Sequence, residues 1–206
     1  MNSLQLTIVV VTLMLCQSCR PIYVPNIHNV PLLKEKTDVS VTLSLNDLQG
    51  AYAVSDNIGI MASLYRNNVN FAYDFDENVN RKYFEIGAGY FTRFGKFGVF
   101  ELYGGYGIGD FEFGKSQGAN DYYSANTSRI FIQPNVAFSY KIIDVVFSTR
   151  VFSYSIHDPD LTRYGGPDTF DTDLSDVHLR NYQYIEPAST PKLGWKQAKV
   201  FWQTIV

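Results

Sequence analysis

Five charged residues share one face of alternating segments in this chain: Glu85, Glu101, Arg129, Arg150 and Glu186. Side chains two positions apart in a strand point the same way. On that basis each of the five has glycine, serine or another polar residue beside it, and isoleucine, phenylalanine, leucine or valine on the opposite face. Three carboxylates and two guanidiniums inside one wall must pair and hydrogen-bond, because an isolated buried charge is strongly disfavoured. Two kinds of chemistry suit such a set. One is a charge network that fills a lumen and fixes strand register. The other is an acid–base pair or an ion path. No nucleophile or metal-ligand cluster accompanies the five, so the network is the expectation.

The other reactive residue types add little. The histidines are His28, His157 and His178, and no two share metal-ligand spacing on one element, so no metal and no cofactor are expected. His157 lies near Ser153 and Ser155, which is all that points towards a lipid hydrolase, and an enzyme is not expected. Gly105-Tyr106-Gly107-Ile108-Gly109 has the look of a phosphate loop but lacks the strand–loop–helix context and the Lys-Ser/Thr. Glycine at bent wall positions, or making room for Tyr103 and arginine side chains, explains it better.

The elements that would position the charged face are strands. Arg129 to Lys141 sets Ile130, Ile132, Pro134, Val136, Phe138 and Tyr140 against Arg129, Phe131, Gln133, Asn135, Ala137, Ser139 and Lys141. The same period of two marks Val39–Leu45, Gln49–Val54, Ile58–Tyr65, Phe84–Arg93, Phe100–Gly109, Ile143–Val151, a stretch near Leu179–Thr190, and Lys199–Val206. Tight turns are expected after the second, fourth, sixth and eighth strands, and long polar loops at 67–82, 114–127 and 157–178. Strands of about ten residues, with short turns at one rim and long loops at the other, are those of an all-β, antiparallel, up-and-down transmembrane β-barrel of 8–10 strands.

Composition agrees. The 206 residues include 15 Tyr and 15 Phe, and that aromatic excess suits strands and interfacial girdles. The formal charge of −3 offers no basic patch, so nucleic acid is not an expected partner. No apolar run reaches the length of a membrane-spanning helix. Single-chain barrels have even strand numbers, so nine strands leave two options. Either one early strand lies outside the wall, or the chain as given is an unclosed barrel whose native sequence continues beyond Val206. The second is the expectation.

The N-terminus supplies a targeting signal. Leu4–Leu15 has the length and apolarity of a signal-peptide core, and Ser18-Cys19 is a small residue before cysteine, the context for lipoprotein processing. The expected organisation is a lipoprotein signal peptide over 1–18, lipidated Cys19 with a Pro-rich tether over 19–37, and a barrel over 38–206. A plain cleaved signal peptide is the alternative at the N-terminus. Pro21, Pro25 and Pro31 keep the tether extended. Both cysteines, Cys16 and Cys19, lie in the first 19 residues, so no disulfide staples the domain. Arg20-Pro21 gives no acidic export tract, and the anchor is expected on the periplasmic leaflet, below the short-turn rim.

With these elements in order, the chain resembles a family of small outer-membrane β-barrel lipoproteins of Bacteroidota. The resemblance is carried by Tyr23-Val24-Pro25-Asn26, Asn29-Val30-Pro31-Leu32 with Glu35-Lys36, Ala51-Tyr52-Ala53 and Gly87-Ala88-Gly89-Tyr90. Tyr103-Gly104-Gly105-Tyr106-Gly107, Arg129-Ile130-Phe131-Ile132-Gln133-Pro134 and Tyr184-Ile185-Glu186-Pro187-Ala188 follow in the same order. It implies a lipidated barrel with further strands beyond this chain's end, and brings no catalytic residue or substrate. The expected function is therefore a lipid-anchored outer-membrane barrel with a polar, side-chain-plugged lumen and a structural or surface-interaction role. Its partners are outer-membrane lipid and an unidentified envelope component. The rival is a soluble lipocalin-like barrel on a lipid anchor, binding a small hydrophobic ligand, in which the apolar face would point inward.

Overall fold

The computed structural model describes residues 26–71, 77–115, 121–162, 181–195 and 198–205. They form an all-β, curled antiparallel half-barrel of nine up-and-down strands. The strands are β1 (Val39–Leu43), β2 (Asp47–Ala53), β3 (Ile58–Phe71), β4 (Glu77–Phe94), β5 (Gly98–Lys115), β6 (Asp121–Tyr140), β7 (Ile143–Thr162) and β8 (Asn181–Gly194). The ninth is split into β9 (Lys199–Phe201) and β10 (Thr204–Ile205), both paired with β8. The split has a local cause. Register places Pro191 of β8 opposite Trp202; the proline carbonyl accepts from Trp202 N at 3.1 Å, but proline has no N–H to return the bond.

Each strand pairs with the next, from β1 to β8. Among the described residues no ladder joins β1 to β9 or β10, so the sheet is open along that seam.

Alternation decides which residues face where. The convex face carries Ile60, Leu64, Phe84, Ile86, Leu102, Ile108, Ile130, Ile132, Phe138, Phe147, Val151 and Ile185, all exposed. This belt ends abruptly, where Leu64 gives way to Arg66, Phe84 to Lys82, Ile108 to Asp110 and Ile130 to Ser128. From that border it runs to the rim formed by the turns at 54–57, 95–97 and 141–142, called here the near rim. The concave face carries the buried residues.

One expectation needs correction. The polar stretches at 67–82, 114–127 and 157–178 are not simply long loops, because most of the first two is strand. β3 runs on to Phe71, β4 starts at Glu77, β6 starts at Asp121, and β7 runs on to Thr162. The asymmetry between rims is therefore largely a strand overhang beyond the belt, towards the far rim. Polar residues on the outer face hide the alternation there, while the inner face remains apolar with Phe111, Tyr123, Ala125 and Ile156. Such a stretch needs no apolar outer face to complete its ladder.

Candidate functional site

Inside the half-barrel lies the chain's own N-terminal segment. Asn26, His28, Asn29, Val30, Pro31 and Leu33 are buried against the concave face. Of the stretch expected to be a tether, residues 26–37 are described, with Pro31 their proline. The backbone turns at Leu32, with φ 59°, and again over 35–37, and residues 26–33 are the plug of the lumen.

The wall receives this segment mainly through side chains that bond its backbone. Gln49 Nε2 donates to Ile27 O at 2.9 Å and Gln133 Nε2 to Asn29 O at 2.8 Å. Gln203 accepts from His28 N at 2.7 Å and donates back to His28 O at 3.3 Å, copying a strand neighbour with one amide. Lys192 Nζ donates to Val30 O at 2.6 Å, and Leu33 N donates to Glu101 Oε1 at 3.0 Å. Asn29 Nδ2 reaches Gly50 O and Ala62 O at 3.2 and 3.3 Å. A buried segment outside any ladder must have its backbone groups satisfied, and here wall amides and charged tips do it. These bonds also bridge the open seam: Gln49 and Gly50 lie on β2, Ala62 on β3, and Lys192 and Gln203 on the opposite flank.

The five charged residues singled out from sequence all face this lumen and are buried, and they are linked through amides and the plug more than by direct ion pairs. Glu85, Arg129 and Arg150 gather around Asn26. Arg129 donates to Glu85 Oε1 through Nε at 2.6 Å and Nη2 at 2.5 Å. Arg150 Nη1 stands 3.8 Å from Glu85 Oε2. Asn26 Oδ1 accepts from Arg129 at 2.6 Å and Arg150 at 3.0 Å, while Asn26 Nδ2 donates to Glu85 at 3.2 Å. Glu101 accepts from Asn135 Nδ2 at 3.0 Å and from the Leu33 amide. Asn135 is tied to Arg150 through Gln133, whose Nε2 donates to Asn135 and whose Oε1 accepts from Arg150 Nε, both at 3.0 Å. Glu186 faces His28, whose Nε2 is 3.8 Å from Glu186 Oε2 and whose Nδ1 is 2.8 Å from Ser148 Oγ. Glu85, Arg129, Arg150 and Glu101 are thus joined through Asn26, Gln133 and Asn135, while Glu186 meets the plug at His28.

The inner glycines make room for rings. A Cβ on Gly89 would lie 2.6 Å from Tyr103 Cδ1 and 2.2 Å from Leu102 O, and one on Gly105 would lie 2.4 Å from Phe131 Cζ.

Sequence reasoning missed Asn26, Asn29 and Leu33, and the wall amides Gln49, Gln133, Asn135 and Gln203 that surround the plug. Two signals were present. One is the set of amides on a face otherwise filled by glycine, serine and charge. The other is apolar Val30 and Leu33 in a segment expected to be a free linker. The remaining candidates fall outside the lumen. His157 Nε2 lies 2.7 Å from Ser128 Oγ on the exposed face, an ordinary cross-strand contact with β6. Ser155 Oγ donates instead to Asn181 at 2.6 Å. His178 and Cys19 lie outside the described residues. Among the described residues no three His, Cys, Asp or Glu side chains gather as metal ligands.

Fold and site together define a class, a curled up-and-down β half-barrel plugged by its own N-terminal segment. Comparison with family models, curated proteins and solved structures returned no match.

Proposed function

We propose that this protein is a lipid-anchored outer-membrane β-barrel with an occluded lumen, serving a structural or surface-interaction role in the envelope. The observation that carries this reading is the inversion of polarity. Large aliphatic and aromatic side chains stand exposed along the convex face, while Glu85, Glu101, Arg129, Arg150 and Glu186 are buried inside. Water strongly disfavours that outer belt, and a bilayer suits it. The rival lipocalin-like arrangement needs the opposite polarity, with an apolar pocket inside. A plug bonded at this many points supports a non-conducting lumen. The signal-like N-terminus and the resemblance to outer-membrane lipoproteins support the anchor at Cys19.

The test is fractionation followed by planar-bilayer recording. The protein is expected in the outer-membrane fraction, extractable only with detergent, with no single-channel steps. Recovery in the aqueous phase of a detergent partition would reject the membrane reading. Intact mass should show acyl chains lost in Cys19→Ala, and an unmodified N-terminus elsewhere would reject the anchor.

A further inference from the structure

The direction in which the plug threads the lumen fixes which side of the membrane its upstream end faces. Asn26 sits at the upper end of the belt, bonded to Glu85 and Arg129. Those two residues lie beside Phe84 and Ile130, the last apolar positions before Lys82 and Ser128. Asn26 also lines a small crevice with Arg81, Asp110 and Phe111, which belong to the strand overhang. From there the segment descends. Val30 packs with Val99, Ala137 and Val146 deep in the near half, and Leu33 bonds Glu101. Lys36 N reaches Asp56 in a near-rim turn at 3.2 Å, and Thr37 N bonds Ala53 O. The segment from Asn26 to Lys36 thus crosses the whole belt, from its far border to the near rim.

We infer that the chain enters its barrel from the far rim, so that Cys19 and its lipid belong to the leaflet on the far-rim side. This rests on the membrane reading above and replaces the expectation of an anchor below the near rim. Reach decides it. Cys19 lies seven positions before Asn26, a span of at most about 25 Å fully extended. The belt to be recrossed is itself about 25 Å tall in barrels of this kind, and the lumen route is filled by residues 26–33. On the far side the wall is low at one place. β1 and β2 end at the belt border, joined by 44–46, whereas β4 to β7 continue several residues beyond it. Leu45 at that low point is fully exposed. A chain leaving the lumen over the β1–β2 turn meets lipid at once. Far-rim strand ends face the cell exterior in bacterial barrels, so the lipid would sit in the outer leaflet.

The test uses the full-length protein with one epitope tag per variant: between Arg20 and Pro21, after Gly95 in a near-rim turn, or within 163–180, which joins the far-rim ends of β7 and β8. Antibody access is compared on intact and permeabilised cells. The inference requires the Arg20 tag to behave as the far-rim tag does. It is overturned if the Arg20 tag behaves as the Gly95 tag does. Identical behaviour of the two rim tags would remove the membrane reading, and the inference with it. A photo-crosslinking residue replacing Ile22 provides a second readout without an insertion. Capture of lipopolysaccharide, an outer-leaflet lipid, is expected, and capture of phospholipid alone would overturn the inference.

Discussion

The concave face of one sheet is used in two opposite ways on either side of the level of Asn26. On the near side, amides and charges bind a chain segment: Gln49, Gln133, Asn135, Glu101 and Lys192 each bond the plug or a residue that holds it. Towards the far rim, rings pack on one another. Phe111 meets Tyr123 edge-on at 6.1 Å, and Arg81 lies over Phe111 at 4.8 Å. The strands, their alternation and their register are continuous across the divide. What changes is the occupant of the interior. Where a backbone must be buried, the wall supplies polar partners; where none is buried, the wall fills the space with its own side chains. Arg129 marks the boundary, pairing with Glu85 and lying against the Tyr83 and Phe152 rings at 4.6 and 5.3 Å.

The largest effect is expected from breaking the polar side at its charge centre. Glu85→Ala leaves Arg129 buried without its closest carboxylate and should cost about 3–5 kcal/mol, read as a lowered midpoint in a urea titration of the protein refolded into bilayers. Ile132→Arg, in the middle of the outer belt, should cost about 2–4 kcal/mol in the same assay. Wild-type stability there would show that the convex face does not meet lipid. Asn26→Ala removes the bonds joining plug to wall at one point and should cost about 1–3 kcal/mol. That loss should be absent in any variant whose plug is already displaced.

How far the sequence reaches is visible in the same comparison. Inward and outward positions follow from alternation alone, and the shared face of the five buried charges follows because a period of two leaves no freedom. Their partners were not legible. Glu101 has Asn135 and a backbone amide in place of an arginine, and Glu186 faces a histidine that sequence assigned to a tether. Pairing across a barrel depends on register, and the plug depends on a segment with no periodicity of its own. The overhang was missed for a related reason: outside the belt the outer face is polar, so the contrast between faces weakens although the ladder continues.

Two glycines sharpen the distinction between a filled interior and an open exterior, with the smallest expected effects. Gly89→Ala, directed at Leu102 O and the Tyr103 ring, should destabilise by overpacking, by about 1–3 kcal/mol. Gly50→Ala, whose added Cβ meets nothing within 4 Å on the convex face, should change stability by less than about 0.5 kcal/mol. Equal losses at the two positions in the urea titration would show that the concave face is not packed as described.

The central claim is that the concave face is built around residues 26–33 of the same chain. The segment beyond Cys19 contains no cysteine, so an engineered pair is read against the same variant with the two native cysteines replaced by serine. Val30 and Val146 pack in one buried cluster. A Val30→Cys/Val146→Cys variant oxidised in the folded state should form an intramolecular disulfide in high yield, detected as a mobility shift reversed by reductant. A plug seated as described requires the thiol introduced at position 30 to be inaccessible to a water-soluble maleimide before oxidation. A position-30 thiol that labels freely in the folded protein and forms no disulfide would contradict the account.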